Sequence, residues 1–353
     1  RRVRVMSALA EGADTLVAEV AIELGLDLVV VLPMARDKYL EDFTDPLAVA
    51  RLDELCGLAQ SVLELPAQDD SREMHYARLG VFLCAHCHIL LALWDGKAGD
   101  SIGGTGQVVR FHHDDTMLGL GEKTIATQQM LVDDESDLVY HIVCSRDRAH
   151  GSPAEGLQPL QEFWFTKDEH QPRAESLPPQ HNLIRARSAQ FSRDAMKFSK
   201  AIERDGYSLM TGHEPQLPKG IKDIDQMFRT ADWLAIHFQR KALRVLRSVH
   251  VLAFFMGLMF ILYVDLDSRT GYMLLFLIFF VGAAGLQYLS SHNGWDRRYL
   301  DYRTLAEGLR VQYYWAAAGV RSDVSSKFTH DNFLQTQDPE LGWIRNVMRV
   351  AGT

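Results

Sequence analysis

Two glycine-containing turns carry the residue types that could hold a phosphate-bearing ligand. The first is Ser7-Ala8-Leu9-Ala10-Glu11-Gly12-Ala13-Asp14. Gly12 and Asp14 stand where a helix is expected to open, and the N–H groups and dipole of a helix start favour an anion. The second starts at Asp95-Gly96 and continues, after a loop, as Gly103-Gly104-Thr105-Gly106-Gln107. Adjacent glycines let backbone amides approach a phosphate closely, and Thr105 can donate its hydroxyl. An ordinary turn and cap would use the same residues, so it is the pair of turns at strand ends that points to a ligand.

Other clusters carry less. Glu11, Asp14 and Asp95 are the carboxylates that could assist a departing base if the same cleft were hydrolytic. Cys84-Ala85-His86-Cys87-His88 has the C-x-x-C-H spacing of haem attachment. It lies inside the apolar run Gly80–Trp94, however, which reads as a buried element ending in a strand, so the cysteines are expected to be structural. His112-His113-Asp114-Asp115 is expected to be a solvated loop, because consecutive residues seldom converge on one metal ion. Asp133-Asp134-Glu135 reads as an exposed acidic turn. No metal and no cofactor is called for.

The elements that position the two turns follow from periodicity. Val3–Met6 alternates as a strand, and Thr15–Leu24 has helical spacing with Gly25 as its C-cap. Leu28–Leu32 is a continuous apolar strand. This is a βαβ unit, which requires a parallel sheet. Leu47–Ala59 and His75–Leu83 read as helices, and Ser61–Leu65, Ile89–Trp94 and Leu138–Cys144 as strands. The predicted fold is α/β, an open doubly wound parallel sheet over residues 1–145. Such sheets bind ligands at the carboxyl ends of their strands, where both turns fall.

Residues 146–220 are expected to be a linker with one amphipathic helix, Asn182–Arg204; its Gly151–Pro179 portion is rich in Pro, Gly, Glu and Gln. Residues 221–353 read as all-α. A stripe from Ile224 through Phe228, Ala231, Ala235 and Phe238 to Leu246 keeps helical spacing and runs into the apolar stretch Val249–Val264. A second apolar stretch, Tyr272–Leu289, follows a short polar loop. Neither contains a charged residue, and both approach the roughly 20 residues needed to cross a bilayer. Transmembrane helices are expected at about 247–264 and 272–290. Arg240, Lys241, Arg244 and Arg247 precede the first, Arg297, Arg298 and Arg303 follow the second, and Asp265 and Asp267 lie between. By the positive-inside rule both flanks are cytosolic. Both termini are therefore expected in the cytosol. Cytosolic exposure also argues against disulfides, and a formal net charge of −9 argues against nucleic acid as a partner.

The pattern Ser7-x-x-Ala10-x-Gly12-Ala13-Asp14, an apolar helix and a Val31-Leu32-Pro33 strand end resembles the SLOG superfamily of Rossmann-like nucleotide sensors, and Gly103-Gly104-Thr105 resembles its second glycine motif. The resemblance covers about residues 1–145. It implies a ligand set of Ser7, Glu11, Gly12, Asp14, Pro33, Asp95, Gly103, Gly104, Thr105 and Gln107. Ala8 and Leu9 depart from the two glycines usual after the serine. Gln107 departs from the glutamate of the phosphoribohydrolases in that superfamily, which favours binding over catalysis. The two apolar arms and Tyr302-Arg303-x-Leu305-Ala306-Glu307-x-Leu309-Arg310 look like the SLATT two-transmembrane effector modules of bacterial conflict systems. Together these imply a sensor-effector of the bacterial inner (cytoplasmic) membrane. A phosphate-bearing nucleotide or NAD-derived signal would bind the α/β domain, and a homo-oligomer, with four subunits as the expected count, would open a pore in anti-phage defence. Gly282 and Gly285 are small enough for the second arms of neighbouring subunits to pack together. A membrane-anchored nucleotide or nucleoside hydrolase and a ligand-free scaffold stay open as alternatives.

Overall fold

The computed structural model describes residues 3–66, 71–99, 101–114, 117, 120, 138–146, 151–166, 172–210, 217–265, 270–319 and 341–351. Asp115, the acidic turn at 133–135 and the loop residues Asp267 and Arg269 lie outside them. The chain forms two compact units, divided between Ala189 and Gln190, with residues 341–351 belonging to the first.

The first unit is mixed α/β. It contains β1 (Arg4–Ser7), α1 (Ala13–Glu23), β2 (Asp27–Leu32), α2 (Arg36–Tyr39), α3 (Pro46–Leu58), β3 (Ser61–Glu64), α4 (Arg72–His86), β4 (Leu90–Trp94), α5 (Thr105–Asp114), β5 (Val139–Val143), β6 (Glu162–Phe165) and β7 (Arg173–Ala174). Local signals set the helix ends. Asp45 accepts the Leu47 amide at 2.9 Å with Pro46 in the first turn of α3, as N-caps do. Gly25, at φ 67°, closes α1 through Gly25 N–H to Ile22 O and Leu26 N–H to Ala21 O, the paired bonds of a Schellman end.

Strands β1, β2 and β3 form a parallel sheet in that order. Alternate residues of β2 face opposite layers. Leu28, Val30 and Leu32 pack with Ala18, Leu52 and Leu55 from α1 and α3. Val29 and Val31 pack with Leu79 of α4. All five are at most 5% exposed, so each contributes on the order of 1.5–3 kcal/mol. This double cover is why β2 reads as an unbroken apolar run. Strands β4 to β7 form a second sheet, in which β4 and β5 are parallel and β6 and β7 add antiparallel. One continuous open sheet was expected; the strands assigned lie in two small ones. Strands β6 and β7 fall in the stretch read as a linker, where surrounding Pro, Gly and Gln mask a short Glu162-Phe163-Trp164-Phe165 strand.

Helix α4 serves both halves of this unit. Besides Leu79 on the first sheet, its Ala77, Val81 and Cys84 pack with Phe111 of α5. A Cβ on Gly80 would come within 2.6 Å of Val108, so α4 and α5 are tightly apposed there. Helix α5 corrects the expectation of a solvated loop for His112 and His113, which are helical and buried at 0% and 6% exposure. None of the four cysteines forms a disulfide.

The boundary between the units falls inside α6 (Pro179–Lys197). The expected single helix Asn182–Arg204 is two, broken at Phe198 before α7 (Ser199–Asp205). The second unit continues with α8 (Lys219–Asp265), α9 (Thr270–Asn293) and α10 (Trp295–Ala317). Helix α8 is one unbroken helix of 47 residues. Its first half buries Ile224, Phe228, Ala231, Leu234, Ala235 and Phe238, and α10 buries Tyr302, Leu305, Ala306 and Leu309. These stripes recur at three and four residues, as two packed helices need. Asp194 of α6 joins them by accepting from Tyr302 Oη at 2.7 Å and from Arg298 at 3.3 Å. Asp232 of α8 pairs with Arg303 of α10 at 3.1 Å.

Beyond Phe238 no described residue of α8 is buried, and in α9 only Ser290 is. The apolar windows of α8 and α9 have mean hydropathy 2.1 and 2.0 and are only 6% buried. Phe254, Phe255, Phe260, Ile261, Leu274, Ile278, Phe280 and Val281 are each at least 40% exposed. Two helices here are long and apolar enough to cross a membrane, and neither is the buried core of this chain. Helix α11 (Gly342–Arg349) belongs to the first unit, where the Asn346 carbonyl bonds His88 Nε2 at 2.6 Å.

Candidate ligand-binding site

The first turn leaves β1 at Ser7 and enters α1 at Ala13. Its polar groups are largely engaged with one another. Ser7 Oγ donates to the Asp14 carbonyl at 3.1 Å and accepts the Leu9 amide at 3.2 Å. Thr15 Oγ1 donates to the Ala10 carbonyl at 2.9 Å. Tyr39 Oη, on α2, donates to the Ala8 carbonyl at 3.2 Å from a fully buried ring. Ser7 therefore shapes the turn.

Leu9 has φ 57° and is completely buried. It stands in a left-handed conformation that costs a bulky residue about 1–2 kcal/mol. Its side chain fills the core between α1 and β2, and that burial outweighs the strain. Gly12, at φ 100°, opens α1 with no side-chain cap. The Asp14 carboxyl is pushed above its ordinary pKa by burial, opposed by a hydrogen bond from the Ala10 amide.

Glu11 and Gly12 border a groove of about 400 Å³ between α1 and α3, also lined by Thr15, Glu19, Asp45 and Arg51. Its charge is mostly spoken for. Glu11 accepts the Thr44 amide at 3.2 Å, Asp45 caps α3, and Glu19 pairs with Arg51 at 2.5 Å. Three carboxylates against one guanidinium make this groove unsuited to a phosphate. Pro33 is buried at the end of β2 and does not line it.

The second turn has a different character. Gly103 has φ 74°, and a Cβ there would lie 2.7 Å from Tyr76 Cβ and 2.9 Å from the Ala77 nitrogen of α4. A Cβ on Gly106 would lie 2.9 Å from the Gly99 nitrogen, and one on Gly104 2.5 Å from Ser101 Oγ. These glycines are needed for the chain's own close packing. Thr105 is exposed in the first turn of α5. The Gly104 and Gln107 amides are used on Ser101 O and Gly104 O; those of Thr105 and Gly106 have no acceptor within the helix. Gln107 is 4% exposed, and neither its Oε1 nor its Nε2 has a hydrogen-bond partner. Leaving a buried carboxamide unsatisfied costs about 1–3 kcal/mol. It is the one polar group of the ten-residue candidate set that the fold buries without using.

Asp95 follows β4 directly and is 2% exposed. Arg146 Nε lies 2.8 Å from its Oδ2, and the Lys97 amide donates to its Oδ1 at 3.1 Å. Segment 151–157 lies over this strand end: the Ala154 amide bonds Asp95 O at 2.8 Å, and a Cβ on Gly96 would meet Leu157 at 2.5 Å. Asp95 is thus an internal ion pair.

The two turns are linked through α4. Tyr76 packs beside Gly103, and its ring lies 6.3 Å from that of Tyr39, which bonds Ala8. Sequence reasoning missed Tyr39 and Tyr76, whose roles come from contacts between distant segments, and missed His141. That side chain is fully buried on β5, with Nε2 3.0 Å from Trp94 O and Nδ1 unpaired, among Trp94, Phe163 and Phe165. No group of three or more His, Cys, Asp or Glu is placed to hold a metal among the described residues.

No family model matches the chain, and neither a curated protein nor a solved structure does.

Proposed function

We propose that this chain is a membrane sensor-effector. A phosphate-bearing nucleotide or NAD-derived signal binds the α/β unit at the start of α5, and the two apolar helices cross the membrane as part of a homo-oligomer. The observation that carries the membrane half is the exposure of the apolar windows of α8 and α9, 6% buried, which water does not tolerate over so large a surface. What supports signal transmission is the continuity of α8, whose buried first half and apolar second half are one helix. What supports a ligand at α5 is the Gln107 carboxamide in the first turn of that helix, buried with no hydrogen-bond partner. The Rossmann-like SLOG reading, the SLATT-like reading of the hairpin, the cytosolic termini in a bacterial inner membrane and the role in anti-phage defence rest on sequence resemblance and on flanking charge. Two helices cannot enclose a pore, so conduction requires several subunits, and four is the count proposed.

Dye-loaded liposomes carrying the full chain test the reading. Release on adding NAD, its cleavage products or a nucleotide mixture supports it. Stable liposomes under every addition exclude the effector role.

A further inference from the structure

The base of the apolar hairpin gathers more positive charge than the chain neutralises. Lys197 ends α6, Lys241 and Arg244 stand about one turn apart on α8, and Arg298 lies in the first turn of α10. The carboxylate facing them is Asp194, already engaged by Tyr302 Oη at 2.7 Å and by Arg298 at 3.3 Å. Among the described residues no carboxylate pairs with Lys197, Lys241 or Arg244. Aromatic rings lie against Lys241 and Arg298. Lys241 Nζ is 5.5 Å from the Phe238 ring centroid and 5.6 Å from that of Trp295, and the Arg298 guanidinium is 5.1 Å from Phe238.

The electrostatics carry the mark of this crowding. Burial, then Lys197, Arg244 and Arg298, push the Lys241 ammonium below its ordinary pKa, with Asp194 opposing. His237, stacked on Trp233 at 5.1 Å, is pushed down by burial and then by Lys241 and Arg244. A site that depresses its own cations attracts an anion.

Position selects the kind of anion. At 1.5 Å per residue, Arg244 lies about 7 Å and Lys241 about 12 Å along α8 from Val249, where the exposed apolar surface begins. The headgroup layer is roughly 5–8 Å deep on each side of a bilayer, within reach of both stems. Trp295 and Tyr299 supply aromatic rings at the same level, with Tyr299 Oη 3.2 Å from Gln239 Nε2. An anion held here is contiguous with the exposed faces of Val251, Phe254 and Phe255, which suit acyl chains.

We propose that Lys197, Lys241 and Arg244, beside the Asp194-paired Arg298, bind the phosphate of an anionic phospholipid at the basic end of the hairpin. This rests on the membrane reading above. The full chain is reconstituted into vesicles of phosphatidylcholine, alone or mixed with phosphatidylglycerol. Lipid retained after detergent extraction is read by native mass spectrometry, and thermal stability is read in the vesicles. Phosphatidylglycerol is expected to be retained preferentially and to raise the melting temperature. Removing a cation should cost about fivefold in that preference, so Lys241→Ala with Arg244→Ala loses roughly 25-fold. Arg244→Gln alone, at an exposed position, keeps the test readable if the double variant does not fold. Equal retention of the two lipids by the wild-type chain overturns the proposal and leaves the membrane spans standing. A chain that stays in the aqueous phase on detergent partitioning sinks the spans themselves. Inorganic phosphate that reproduces the stabilisation in phosphatidylcholine vesicles overturns the assignment to lipid.

Discussion

Gly103 lies so close to Tyr76 that a Cβ on it would sit 2.7 Å from Tyr76 Cβ, with the Ala77 nitrogen at 2.9 Å. The glycine-rich turn is therefore seated on the backbone of α4, and Tyr76 carries that contact toward Tyr39 and the Ala8 carbonyl. Gly103→Ala combines a positive φ with a clash against backbone. A loss of about 2–4 kcal/mol is expected, read as a fall in the denaturant midpoint of the full chain. An unchanged midpoint would show that the close approach is not what the glycine serves.

Gln107 separates ligand binding from packing. Its carboxamide is buried and unpartnered, so Gln107→Leu should remove a desolvation cost and raise stability by about 1–3 kcal/mol without ligand. If the carboxamide reads a nucleotide, the same variant loses the thermal shift that nucleotide gives the wild type. Greater stability with an undiminished shift would place the ligand elsewhere.

His141 makes stability depend on pH. Burial, the largest cause, holds its folded pKa below the ordinary value, while the hydrogen bond at Trp94 O opposes. A histidine buried neutral takes up its proton more readily when unfolded, so the unfolded state binds more protons and stability rises with pH. The contribution is fully present above the unfolded pKa of about 6.5 and is lost as pH falls below it toward the depressed folded value. His141→Leu should flatten this part of the acid limb in urea melts at stepped pH. An identical slope in the variant would assign the acid sensitivity to other groups.

The two glycines proposed to join neighbouring subunits differ in the fold. A Cβ on Gly282 would lie 3.8 Å from Leu252 of the same chain, whereas one on Gly285 meets nothing within 4 Å. Gly282→Leu is expected to push α8 and α9 apart within one subunit. Gly285→Leu leaves the hairpin intact and alters only a surface open to another copy, where small residues permit close packing. Crosslinking of the reconstituted protein should show Gly285→Leu reducing the oligomer with the melting temperature unchanged. An unaltered ladder would remove Gly285 from the interface.

The sequence by itself determined the parts governed by local rules. The unbroken apolar β2, the Gly25 helix end and the stripe on α8 were legible because burial on both faces, a left-handed cap and helical packing each leave a fixed period or residue type. The two apolar arms were legible for the same reason, since nothing but their composition defines them. The basic flanks were legible only as charge. That Arg298 and Arg303 serve Asp194 and Asp232 could not be read from spacing, because the partners are 104 and 71 residues away. Only the tertiary structure decided that Ser7 and Asp95 are internal ties, that α5 replaces a polar loop, and that β6 and β7 extend the second sheet. It also separated Gly103 and Gly106, pressed against backbone, from Gln107, buried with nothing to bond. Residue type records what a side chain is able to do; which neighbours engage it is set by contacts between segments far apart in the chain, and those leave no local period.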